Sequence, residues 1–119
     1  MKLDPIQLLK SMALIILIDT PWLLLTRPLA ERMILDIQGS KIVLRVLPAI
    51  LVYVFLAYLH TIPKSPLEAF MLGVSVYGVY DFTNYSTIKN YSLQFALLDT
   101  TWGGVLMTIV HFIGNKWNF

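Results

Sequence analysis

The chain has 119 residues, which suits one domain. Hydrophobic residues make up 57% and charged residues 13%, with mean hydropathy +0.70; a soluble domain runs near about 45–50% and about 25%, so the composition points to a membrane protein. A net charge of +2, scattered along the chain, argues against a nucleic-acid partner, and the absence of cysteine excludes disulfides and thiolate metal sites.

A bilayer core needs about 20 apolar residues at about 1.5 Å each. Four stretches meet this and predict an all-α, polytopic integral membrane protein, an up-down bundle of four transmembrane helices in a single domain over residues 1–119. The first helix runs from about Ile6 to Leu25, with Pro5 suited to its first turn. The apolar run is long, starts late and has no small-residue cleavage site after it, so it reads as a retained helix rather than a signal peptide. Residues 28–40 place Leu29, Met33, Ile34 and Ile37 at near-helical spacing, with Glu31, Arg32, Asp36 and Gln38 on other faces; this predicts an amphipathic segment on the membrane surface.

The second helix is predicted over about Ile42 to Leu59, and the third over about Leu67 to Tyr85 after the Thr61–Pro66 punctuation. The fourth spans about Leu93 to Ile113, joined to the third by a short polar turn that makes the two antiparallel neighbours. Lys2, Lys10, Lys64 and Lys116 fall on one side; Arg27, Arg32, Lys41 and Lys89 fall on the other, with Arg45 just inside helix two. That balance assigns no orientation. Trp117 and Phe119 read as interfacial anchors. His60 and His111 lie near the opposite side from the acids, as interface histidines rather than a zinc pair.

Three aspartates interrupt the apolar runs: Asp19, Asp81 and Asp99. A carboxylate at the bilayer centre costs roughly 2.5–3.5 kcal/mol on insertion scales. In an up-down bundle all three fall about 6–9 Å below one membrane surface, and so form a layer. Asp19 and Trp22 share a helix face at i, i+3, as do Asp99 and Trp102, while Tyr77, Asp81 and Asn84 line one stripe. The tryptophans, Tyr77 and Asn84 can donate hydrogen bonds to carboxylates. Pro21 frees the carbonyl of Leu17, a candidate cation ligand. Three neighbouring carboxylates cannot all ionise without a counter-charge, and Arg45 is the expected counter-ion. Gly73, Gly78, Gly103 and Gly104 predict close approach of helices three and four.

The stretch Tyr77-Gly78-Val79-Tyr80-Asp81-Phe82-Thr83-Asn84, with Asp99-Thr100-Thr101-Trp102-Gly103 and Ile18-Asp19-Thr20-Pro21-Trp22-Leu23, resembles domain-of-unknown-function family 2177. That family comprises small predicted membrane proteins of bacteria and some large DNA viruses. The likeness covers nearly the whole chain. It departs at the turn before helix four, where the family often carries Gly-Trp-Pro and this chain has Asn90-Tyr91-Ser92. The resemblance implies four helices with the aspartates as a unit, and no established activity.

Two functional readings follow. Intramembrane acids commonly mark ion or solute paths, so the layer of Asp19, Asp81, Asp99, Arg45, Asn84, Trp22, Trp102 and Tyr77 is expected to bind or move a cation, a proton or a small polar solute. Alternatively the acids are pairing groups in a structural or assembly component of a cellular or viral membrane. A membrane enzyme is the least favoured reading, because no nucleophile, cofactor motif or metal-ligand set accompanies the acids. The expected partners are the lipid bilayer and, for so small a bundle, further copies of the chain.

Overall fold

The computed structural model describes residues 4–117. Lys2 and Phe119, counted above as a loop charge and an anchor, lie outside them. The described residues form four helices and no strand: α1 (Pro5–Gln38), α2 (Val46–His60), α3 (Pro66–Thr87) and α4 (Leu93–Lys116).

Local chemistry sets the helix ends. Asp4 accepts the Ile6 N–H at 3.0 Å with Pro5 at the first position of α1. Ser65 caps α3 by accepting the Glu68 N–H at 3.2 Å, and Glu68 reaches back to the Lys64 N–H at 2.6 Å. Ser92 caps α4 through the Phe95 N–H at 3.0 Å. The α3–α4 turn closes on Asn90 in the left-handed region, φ 70, a conformation that asparagine tolerates well. Gly39 ends α1 at φ 73, returning its N–H to the Leu35 carbonyl at 2.9 Å.

Two predicted boundaries are corrected. The segment over residues 28–40 is not a helix of its own: α1 runs unbroken through Pro21 and Pro28 for 34 residues. Its Met33 buries against Tyr91 and Ala96, with Ile34, Ile37 and Phe95 around them. Ser92 N–H meets the Met33 sulfur at 3.4 Å, and the Asn90 amide donates to the Asp36 carbonyl at 3.1 Å. This packing on the α3–α4 turn holds the helix together where each proline removes a backbone bond. Thirty-four residues would reach about 51 Å, against a longest dimension of 44 Å, so α1 cannot lie straight along the molecule. The second correction is α2, which begins at Val46 rather than near Ile42. Pro48 lacks an N–H and therefore sits in a first turn, where no intrahelical partner is needed.

One apolar core joins three helices: Leu14 and Ile15 of α1, Leu56 and Ala57 of α2, and Leu106, Met107 and Val110 of α4. α3 packs chiefly on α4. Glycine permits that contact: a Cβ on Gly73 would collide with the Gly103 carbonyl, and one on Gly104 would lie 2.6 Å from the Val74 side chain. Gly78 is under no such constraint, since a Cβ there meets the Thr100 methyl at an ordinary 3.4 Å. His60 and His111 are both buried at the far end of the bundle, and His111 lies 3.1 Å from the Asn115 amide. The outer surface is apolar on every helix, from Leu17 and Leu25 on α1 and Leu47 and Phe55 on α2 to Leu67 and Val79 on α3 and Phe112 on α4.

Candidate functional site

The fold brings the three acids together from α1, α3 and α4, but on two different kinds of footing. Asp19 is 5% exposed. Its Oδ2 accepts the Tyr53 hydroxyl of α2 at 2.7 Å, and its Oδ1 accepts the Trp102 indole N–H of α4 at 2.8 Å. Both oxygens are thus satisfied, and the one carboxylate ties three helices.

Asp81 is 0% exposed. Its Oδ1 accepts the Tyr91 hydroxyl at 2.8 Å, while its Oδ2 receives no donor. The Asp99 carboxyl on α4 is its acidic neighbour. The Trp22 indole of α1 lies beside Asp99. Thr100, next to Asp99, also buries a hydroxyl oxygen without a partner.

The tryptophans exchange helices. The sequence pairs each with the aspartate one turn away on its own helix. In the fold, Trp102 of α4 donates to Asp19 of α1, and Trp22 of α1 lies beside Asp99 of α4. The two indoles stack between them, with ring centroids 5.0 Å apart and planes 6° from parallel. Tyr77 lies within electrostatic reach of Asp19, Asp81 and Asp99 together. Its ring occupies the space that a Cβ on Gly103 would fill, so the same glycine that lets α3 approach α4 also seats this tyrosine. Asn84 takes a supporting place beside the Tyr80 and Tyr91 hydroxyls.

Two expectations fail here. Arg45 precedes α2 as its N-cap residue, is exposed, and forms no ion pair with any of the acids. The late start of α2 leaves it outside the bundle, so it is not the counter-ion. The carbonyl freed by Pro21 is not part of the site either: Leu17 is 70% exposed and Pro21 is exposed, because a helical position two residues from Asp19 points about 200° away. Two site residues were missed from sequence, Tyr53 and Tyr91. A tyrosine in an apolar helix needs a partner for its hydroxyl, which could have singled out Tyr53. Tyr91 sits in the turn, and its inward reach to Asp81 depends on Met33 and Phe95 packing around it. Among the described residues, no group of three or more histidine, cysteine, aspartate or glutamate side chains is placed to hold a metal ion.

α1 and α4 are each long and apolar enough to cross a membrane; α2 is apolar but has only 15 residues. No curated protein and no solved structure matches the chain. A family model described as a predicted membrane protein, DUF2177, matches residues 6–115. An apolar exterior and two helices fit to span a bilayer agree with that description, and with nearly the whole chain matched the protein belongs to the DUF2177 family of predicted membrane proteins.

Proposed function

We propose that all four helices cross the membrane and that the Asp81–Asp99 pair is a binding site for a small cationic species, either a metal cation or a proton. The observation that carries this reading is the Asp81 carboxyl: fully buried, one oxygen without a donor, and facing a second carboxyl. Two facing carboxylates repel one another and cannot both stay ionised in a low-dielectric interior unless positive charge lies between them. Among the described residues, no lysine, arginine or histidine pairs with Asp81 or Asp99: Arg45 is outside the bundle, and both histidines are buried at its other end. The charge therefore comes from solution, which is what a binding or transport site requires. The apolar exterior of α2 and α3 supports burial of these two helices in lipid as well.

The structural or assembly reading is favoured by Asp19, whose oxygens are both satisfied within the fold. We assign that role to Asp19 alone. The test is thermal stability of the purified protein in detergent across pH and a panel of cations, for wild type, Asp99→Asn and Asp19→Asn. The proposal expects a ligand-dependent or pH-dependent shift that Asp99→Asn abolishes and Asp19→Asn retains. An Asp99→Asn protein that is merely less stable, with no wild-type response to any cation or to pH, would reduce the pair to a packing device.

A further inference from the structure

We infer that the species held between Asp81 and Asp99 is a single shared proton and not a metal cation. This inference rests on the reading of the pair as a site, and it concerns what that site accepts. The starting point is again Asp81 Oδ2, buried, without a donor, in a carboxyl that faces Asp99.

A cation and a proton ask different things of the surrounding groups. Hard cations take about six to eight oxygen ligands, or about six in near-octahedral geometry. They need a shell of lone pairs. The groups here spend their hydrogens on the acids. Asp81 receives the Tyr91 hydroxyl; Trp22 stands against Asp99; Trp102 and Tyr53 are committed to Asp19. An indole N–H is a donor only and cannot ligate a cation. The nearest backbone carbonyl freed by a proline, that of Leu17, lies on the outer face of α1. Once Asp81 and Asp99 have each offered an oxygen, the unpartnered Thr100 hydroxyl beside Asp99 adds a third, still well short of the about six that a hard cation takes.

A proton fits what is present. With one proton between them, the pair becomes a carboxylic acid donating to a carboxylate. The orphaned Oδ2 is satisfied, and the pair carries one negative charge instead of two. The Tyr91 hydroxyl and the Trp22 indole then stabilise that remaining charge, as charge-assisted donors do. The titratable groups that face the pair are Asp19 from α1, Tyr77 and Tyr80 from α3, and Tyr91 from the turn, with Tyr53 of α2 one bond further away at Asp19. None is basic, so the shared proton is the sole neutralising charge. The site thus takes one proton from water and holds it between the two acids.

The decisive measurement is infrared spectroscopy of the full chain in lipid at neutral pH, reading the C=O stretch that only a protonated carboxyl gives. The expected result is such a band in wild type, shifted in deuterated water, unchanged when sodium, potassium, magnesium or calcium is added at constant pH, retained in Asp19→Asn and lost in Asp99→Asn. In the last variant, the amide N–H of the new side chain replaces the shared proton as donor to Asp81. If Asp99→Asn is not recovered folded, deuterium sensitivity and cation insensitivity of the wild-type band still decide the matter. A missing band, together with stability that rises with one cation at fixed pH, would overturn the proton while leaving the pair as a site. A missing band with no response to cations or pH would remove both.

Discussion

Asp19 and the Asp81–Asp99 pair sit in one layer of one small bundle, yet they solve the problem of a buried carboxylate in opposite ways. Asp19 has a donor for each oxygen, supplied by α2 and α4. Its charge is balanced by hydrogen bonds internal to the fold, and the result is a fixed knot among three helices. The pair has donors at its edges, from Tyr91 and Trp22, and none at its centre. Its balance must come from outside. The difference teaches that a buried acid is informative through its unfilled oxygen as well as through its burial: Asp19 is satisfied within the fold, and Asp81 keeps one oxygen without a donor.

Mutations can break this contrast. The largest effect is expected for Gly73→Leu, which drives a side chain into the Gly103 backbone and separates α3 from α4. Both regions then collapse, with loss of folded protein measured by size-exclusion yield. Next comes Asp19→Ala. It strands the Tyr53 hydroxyl and the Trp102 indole, each costing about 1–3 kcal/mol when left unsatisfied, and denaturation in detergent should report the loss. Asp99→Asn sharpens the contrast from the other side: stability at neutral pH should fall by less than for Asp19→Ala, while the decline of wild-type stability as rising pH strips the shared proton should disappear. Tyr91→Phe removes one donor to Asp81 and should cost about 1 kcal/mol, retaining the pH response. Arg45→Gln should change stability by no more than about 0.5 kcal/mol, as for other surface positions, and leave the pH response intact. A large effect at Arg45 would restore it as the counter-ion.

Much of this arrangement is legible in the sequence. The four helices, the place of Pro5 in the first turn of α1 and the close α3–α4 contact at Gly73, Gly103 and Gly104 are readable from apolar runs, turn residues and small side chains. What is not legible depends on which helix face meets which. The i, i+3 spacing places Trp22 and Asp19 on one face, but only packing reveals that Trp22 leans across to Asp99 while Trp102 crosses to Asp19. Pro28 reads as a boundary, because the cost of a proline inside a helix is local and visible, whereas the compensation from Met33 on the turn comes from residues far along the chain. Arg45 reads as intramembrane because the apolar run around it is continuous; the start of the helix depends instead on where Pro48 can be accommodated. Tyr91 is hidden by its position in a turn, which ordinarily faces water.

The glycine contact between α3 and α4 bears finally on how the chain enters its membrane. α3 carries Glu68, Asp81 and Asn84 and is not among the helices apolar enough to cross unaided. Joined to α4 by a short turn and pressed against it at Gly73, Gly103 and Gly104, it can shield Asp81 against Asp99 and Tyr91 before either helix meets lipid. On the four-span reading, the last half of the chain therefore inserts as a preassembled hairpin. In that arrangement the more apolar α4 would carry its polar companion across.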